Sequence, residues 1–131
     1  MSNDNLNLTI EEIDEFKKRQ NGIIDKAVEK IMQTHNLEHL GEKARDTMQS
    51  GMKFTVETLA SIMSVSLPEM VDQQLSWGND YLPTVGITPE MVLKNFEIIT
   101  EVTEELIDKQ NYPGVFAWLE LVIKKQREMI K

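Results

Sequence analysis

Hydrophobic residues recur at steps of three and four along nearly the whole chain, which is the spacing of amphipathic helices. One such stripe comprises Ile23, Ile24, Ala27, Val28, Ile31 and Met32. Another comprises Val92, Phe96, Ile99, Val102 and Leu106. No segment alternates apolar and polar residues as a half-buried strand would. The pattern therefore predicts an all-α protein with about six helices.

Start and stop signals divide the first half of the chain into three helices. Thr9 and Glu12 have the spacing of a capping box, which predicts a first helix that ends near Gln20. The Asn21–Gly22 pair is expected to interrupt it before the second helix carries the first stripe. A third helix is predicted from about residue 42 to residue 64, with a bend at Gly51.

Three more helices are predicted in the second half. Ser66–Glu69 combines a serine cap with a proline in the first turn and predicts a helix to about Tyr81. Thr88–Glu90 has similar signals and begins a helix that should end near Gln110. The final helix follows the turn at Asn111–Gly114. The residues predicted to be buried by the fourth helix are Leu67, Met70, Val71, Leu75 and Trp77.

Composition is that of an ordinary globular protein, and residues 1–131 are expected to form one domain in which residues 1–8 are flexible. The 22 acidic against 14 basic residues give a net charge of -8, which disfavours nucleic acid as a partner. The absence of cysteine excludes disulfides and thiol nucleophiles. Neither a secretory leader nor an apolar run of roughly 20 residues is present, so no membrane partner and a cytoplasmic location are expected.

His35 and His39 are the sharpest local chemical feature of the sequence. Their four-residue spacing is that of a zinc-protease helix, but Asn36 stands where those enzymes carry a general-base glutamate. We interpret them as two surface histidines beside a helix end and as weak candidates for a metal site. A metal-dependent enzyme that uses them is a third-ranked hypothesis. The acidic cluster of Glu101, Glu104 and Glu105 is interpreted as a solvated helix face.

Methionine and aromatic side chains supply the candidate residues of a binding pocket. If these side chains line a pocket instead of filling a core, the lining residues are Met63, Met70, Trp77 and Tyr81. Because residues of these types at helical spacing more often fill a core, core packing is the favoured interpretation. The sequence contains no glycine-rich phosphate loop and no nucleophile elbow. No catalytic residue and no cofactor are therefore predicted.

The order of several short segments resembles a known family. The segments are Gly41–Arg45, Met52–Ala60, Leu67–Val71, Leu75–Trp77, Tyr81–Pro83 and Gly86–Glu90. In this order the chain is similar to the globin-like regulatory domains of bacterial signalling proteins. These domains occur ahead of cobalamin-binding modules and, as non-haem globins, in stressosome proteins. The resemblance covers about residues 38 to 110.

The resemblance implies a globin-like domain whose last four helices correspond to the E, F, G and H helices of a globin. It also implies a non-enzymatic sensory role. Thr55 and Gln74 depart from the family, because relatives often carry a histidine and an aromatic residue at these places. The segment Leu67–Tyr81 contains no histidine that could serve as the proximal ligand of a haem. The resemblance therefore implies a globin-like domain without haem.

Two functional hypotheses follow, and they belong to different classes. The leading one is a regulatory protein that forms a homodimer and contacts a signalling partner, because apolar residues spread widely around the last helix. The candidate interface residues are Val115, Trp118, Leu119, Val122 and Met129. The alternative is a sensor that binds a tetrapyrrole or a fatty-acid-like molecule between the E- and F-like helices.

Overall fold

The structure is a computed structural model, and it describes residues 8–35, 41–65 and 67–130. The α-helices of this part are α1 (Ile10–Thr34), α2 (Ala44–Val65), α3 (Glu69–Tyr81), α4 (Pro89–Leu106) and α5 (Pro113–Ile130). A short 3₁₀ helix, Leu82–Val85, follows α3 directly. The described residues contain no strand, so the predicted all-α class is confirmed with five helices in place of about six.

The first two predicted helices form one continuous helix, α1, because Asn21–Gly22 does not interrupt it. A Cβ atom at Gly22 would lie 3.3 Å from the Leu106 side chain, so the glycine lets α1 and α4 approach closely. Gly51 likewise lies inside the continuous helix α2. Glycine in a helix is costly but tolerated, and neighbouring contacts outweigh its local preference.

The boundaries of the later helices agree in part with the sequence analysis. The Thr88 side chain accepts a hydrogen bond from the Met91 backbone N–H at 3.2 Å, as its predicted role at the start of α4 requires. That helix ends at Leu106 rather than near Gln110. The predicted cap at Ser66 lies outside the described residues, and α3 begins at Glu69.

Helix α1 is the common partner of α2, α4 and α5, and α4 also packs against α5. The largest fully buried side chains include Phe16 of α1 and both Phe116 and Trp118 of α5. Helix α3 packs against α5 and the 3₁₀ helix instead of α1. The α3 helix is therefore the peripheral element of the bundle. Within the described residues, no helix combines the length and apolar character that crossing a membrane requires.

The buried carboxylate of Glu12 caps two helices at once. Its Oε1 accepts a hydrogen bond from the Thr9 backbone N–H at 3.0 Å, and the Thr9 hydroxyl accepts one from the Glu12 N–H at 3.0 Å. The predicted capping box is thus confirmed. The other oxygen, Oε2, accepts a hydrogen bond from the Gly114 N–H at 2.6 Å, in the first turn of α5. Leu8, predicted to be flexible, packs against the core beside this contact.

Exposed ion pairs connect α1 to α4. Lys26 and Lys30 each lie 3.0 Å from a carboxylate oxygen of Glu105, and Lys30 also lies 3.7 Å from Glu101. The hydrogen bond from Lys30, followed by that from Lys26, lowers the pKa of the Glu105 carboxyl. The acidic cluster is a solvated face, as predicted, and it also holds two helices together.

We expect Gly114→Ala to destabilise the protein, because the new Cβ would lie 2.7 Å from both carboxylate oxygens of Glu12. Displacing that carboxylate breaks a charge-assisted hydrogen bond, so the loss should be about 1–3 kcal/mol in the free energy of unfolding. Urea denaturation measures it. Gly51→Ala is the control, since its Cβ would meet no atom within 4 Å and should raise stability by up to about 1 kcal/mol. Equal effects of the two substitutions would contradict the packing described for Gly114.

The Glu105 ion pairs predict a pH-dependent contribution to stability. Because folding lowers the pKa of this carboxyl below its ordinary value of 4.5, the contribution is present above that pH and is lost as the pH falls through the lowered pKa. Glu105→Gln should therefore lower the melting temperature at neutral pH, and the difference from wild type should vanish as the pH falls through the lowered pKa. Asp25→Asn, an exposed α1 residue without an ion pair among the described residues, is the control. A difference that persists in acid would contradict an ionic origin.

Candidate ligand-binding site

A cleft with a volume of about 330 Å³ opens between α2 and α3. Helices α4 and α5 close its base, where Leu59, Ile99 and Val122 line it and are each buried. Helix α3 packs mainly on α5, and the cleft is the space between α3 and α2. This volume is at the small end of the range of about 300–1,000 Å³ typical of ligand pockets.

Three aromatic side chains form the rim of the cleft. Phe54 projects from α2, while Trp77 and Tyr81 project from α3, and they are 52%, 53% and 47% exposed. The rings of Trp77 and Tyr81 stack with centroids 5.2 Å apart, and the Phe54 ring lies 6.0 Å from that of Trp77. Exposed apolar clusters of this kind are typical of binding surfaces, so the rim makes the cleft a candidate binding site.

The lining of the cleft is apolar with a few neutral polar groups. Among residues 8–35, 41–65 and 67–130, none of those that line the cleft is Asp, Glu, Lys, Arg or His. The polar side chains of the lining include Thr55, Thr58, Gln74, Asn79 and Asn95. Such a surface can bury an apolar molecule and hydrogen-bond to one or two of its atoms. It offers no charged partner to an ionised group.

His35, which the sequence analysis interpreted as a surface histidine and a weak metal candidate, lies beside the cleft. Its Nε2 is 2.9 Å from Oδ1 of Asn95, a lining residue, and its backbone N–H donates to the Ile31 carbonyl at the end of α1. His39 lies outside the described residues. No group of three or more potential metal ligands occurs in the described ranges. The structure therefore places His35 as a hydrogen-bond partner of the cleft wall.

The four pocket residues predicted from the sequence separate into two pairs. Trp77 and Tyr81 are at the rim, as a pocket requires. Met63 is only 1% exposed and Met70 is half-buried against the core, and neither lines the cleft. The expectation that Trp77 and Leu67 fill the core is wrong, since both are exposed. Trp77 is two residues after the buried Leu75 and therefore lies on the opposite side of α3, and Leu67 precedes the first residue of that helix.

The candidate dimer interface is also placed differently by the structure. Val115, Trp118, Leu119 and Val122 are buried inside the single chain, because α1, α3 and α4 surround α5. Met129 is the exposed member of the five. These four side chains offer no surface to a second subunit, and the wide apolar arc of α5 is explained by its own neighbours. The homodimer stays a prediction.

Sequence reasoning missed Phe54 and the polar residues of the cleft. Phe54 lies off the apolar stripe of α2, and an aromatic residue outside the stripe is the signal that could have revealed it. No comparable signal exists for Asn79 and Asn95, since asparagine on a helix has no preferred role. Thr55 and Gln74, where the chain departs from the family it resembles, both line the cleft.

A reciprocal amide pair anchors the wall formed by α3. Asn79 Nδ2 donates to Gln126 Oε1 and Gln126 Nε2 donates to Asn79 Oδ1, both at 2.8 Å. Gln126 is fully buried, and its second N–H donates to the Pro89 carbonyl at 3.0 Å. The remaining N–H of Asn79 donates to the Leu75 carbonyl at 2.7 Å. The pair joins α3, α4 and α5 at one point.

We expect Asn79→Leu and Gln126→Leu each to lower the free energy of unfolding by about 1–3 kcal/mol. Each substitution removes both hydrogen bonds of the amide pair and leaves the partner side chain without them. A double-mutant cycle followed by urea denaturation should give a coupling of at least about 0.5 kcal/mol. Gln73→Leu, an exposed change on α3, should stay within about 0.5 kcal/mol of wild type. Strictly additive losses would show that the two amides act independently.

Comparison of the chain with known protein families, with curated proteins and with solved structures found no match. The resemblance to globin-like regulatory domains therefore stays a prediction that rests on the sequence segments named above. The cleft between α2 and α3, rather than any relative, supplies the evidence for function.

Proposed function

We propose that the protein binds a small, largely apolar molecule in the cleft between α2 and α3 and serves as a ligand-responsive module. The observation that carries this proposal is the continuity of the cleft from an exposed aromatic rim to a buried apolar base. A molecule that enters would bury its own apolar surface and also cover Phe54, Trp77 and Tyr81. Burial of apolar area on both sides favours binding by about 25 cal/mol per Å².

The chemistry of the lining supports binding rather than catalysis. General acid–base catalysis needs a carboxylate, histidine or lysine within hydrogen-bond reach of the bound molecule. The described part of the lining contains none of these residue types, and His35 contacts Asn95 without lining the cleft itself. A non-enzymatic role is therefore part of the proposal.

The size of the cleft favours one of the two ligand classes considered from the sequence. A tetrapyrrole is a large, rigid ring system, whereas about 330 Å³ suits a single chain or a small fused ring system. A haem would also need an axial ligand, and no described lining residue is a histidine. We therefore favour a compact apolar molecule over a tetrapyrrole.

The anchoring of α3 offers a route from the ligand to the rest of the bundle. Asn79 lines the cleft and, through the same side chain, bonds to Gln126 of α5. A ligand that shifts α3 relative to α2 would alter that amide pair, and a ligand changes an equilibrium by its difference in affinity for the two states. This connection supports a sensory role.

Titration with the neutral dye Nile red tests binding in the cleft. We expect a saturable fluorescence increase with one site per chain. Thr58→Phe places a ring on a half-buried lining position and should weaken dye binding at least about tenfold, which is 1.4 kcal/mol. Ser61→Phe adds the same ring to α2 at an exposed position outside the lining and should leave the affinity unchanged. Circular dichroism checks that both variants fold.

Two results would contradict this proposal. One is dye fluorescence that rises without saturation, as surface adsorption produces. The other is an equal effect of Thr58→Phe and Ser61→Phe, which would place the dye outside the cleft.

A further inference from the structure

The carboxamide of Asn95 is held by the protein on one side only. Its Oδ1 lies 2.9 Å from Nε2 of His35, a residue at the end of α1. The side-chain nitrogen of Asn95 has no hydrogen-bond partner among the described residues. Because the residue lines the cleft and is half-buried, this N–H group is available to a molecule bound there.

The other two amide side chains of the lining, Asn79 and Gln74, and the Thr55 hydroxyl are arranged differently. The amide groups of Asn79 are used by Gln126 and the Leu75 carbonyl, and the Thr55 hydroxyl donates to the Gly51 carbonyl at 2.8 Å. Gln74 has no hydrogen bond within the described residues, so nothing holds its amide in one orientation. Asn95 therefore combines a fixed orientation with an unused donor, and such preorganisation reduces the entropy that binding costs.

The electrostatics of the lining restrict which group can meet this donor. A carboxylate or an ammonium in the cleft would lose its hydration without gaining a charged partner from the described residues, because none of those that line the cleft carries a formal charge. The cost of burying an unpaired ion exceeds the gain from one hydrogen bond. A hydroxyl or carbonyl oxygen accepts the same hydrogen bond without that penalty.

Resting on the proposed function, we infer that the ligand is an uncharged molecule with a hydroxyl or carbonyl oxygen, and that Asn95 binds this oxygen. His35 is a positioning residue: by engaging Oδ1 it directs the Asn95 N–H toward the ligand. This assignment excludes fatty-acid anions as the preferred class and makes Asn95 the residue that determines specificity. The aromatic rim and the apolar base then contact the body of the molecule.

Displacement of Nile red at pH 7 by 2-naphthol, naphthalene and 2-naphthoate tests the inference, because the three share one ring system. We expect 2-naphthol to bind about fivefold more tightly than naphthalene, which corresponds to about 1 kcal/mol for one hydrogen bond. We expect 2-naphthoate, which is an anion at this pH, to bind at least about tenfold more weakly than 2-naphthol.

The variants separate recognition of the oxygen from general packing. Asn95→Leu should abolish the advantage of 2-naphthol over naphthalene and leave naphthalene binding within about twofold of wild type. His35→Leu should reduce the same advantage, and His35→Gln, which keeps a donor near Oδ1, should restore part of it. Gln74→Leu is the matched control, because it removes a lining amide that has no hydrogen bond within the described residues. It should change none of the three affinities.

Each contrary result has a distinct meaning. Binding of 2-naphthoate as tight as that of 2-naphthol overturns the uncharged class. An unchanged preference for 2-naphthol in Asn95→Leu overturns the role of Asn95. If Nile red saturates one cleft site but 2-naphthol does not displace it, this inference fails while the proposed function stands. If Nile red itself finds no site in the cleft, the proposed function fails.

Discussion

The attachment of α3 to α5, rather than to α1, is the constraint on which the candidate site depends. Helix α1 is the shared partner of α2, α4 and α5, so those elements close around one core. Helix α3 instead joins the bundle through Val71, Leu75 and the amide pair of Asn79 with Gln126. Amide groups with every hydrogen bond made contribute geometric definition as well as stability. The pair fixes the position of α3 relative to α5, and the cleft is the space between α3 and α2.

The buried polar side chains of the described residues are hydrogen-bonded within the chain, whereas Asn95 in the cleft is hydrogen-bonded on one side only. Glu12, Thr103 and Gln126 are buried, and each has hydrogen-bond partners in the chain. Burial of an unpaired polar group costs more than a made hydrogen bond returns, so such pairing is required in a core. Asn95 is different, because one side of its amide faces a cavity that a ligand can fill. The three buried residues therefore belong to the core, and the incomplete hydrogen bonding of Asn95 is typical of a candidate site.

The aromatic side chains of the rim also differ from the core, because they are exposed where most large apolar side chains are buried. Most large hydrophobic side chains of the described residues are buried, yet Phe54, Trp77 and Tyr81 are about half exposed and touch one another. Folding alone would favour their burial, and the proposed ligand would supply the burial that folding does not. A small, uncharged apolar molecule suits the rim, the volume and the lining together. The residues of the exposed ion pairs, such as those between α1 and α4, do not line the cleft, and water screens these pairs.

The sequence by itself determined the helical class, the capping box at Thr9 and Glu12, the start of α4 at Thr88 and most of the buried stripes, because these depend on spacing within one helix. It predicted a break at Gly22, and only the contact with Leu106 shows why the glycine belongs inside a helix. It placed two of four pocket residues and missed Phe54, Asn79 and Asn95. The position of the cleft follows only from the tertiary structure. A cavity between helices depends on which helix faces pack together, and the periodicity of a single helix does not determine that.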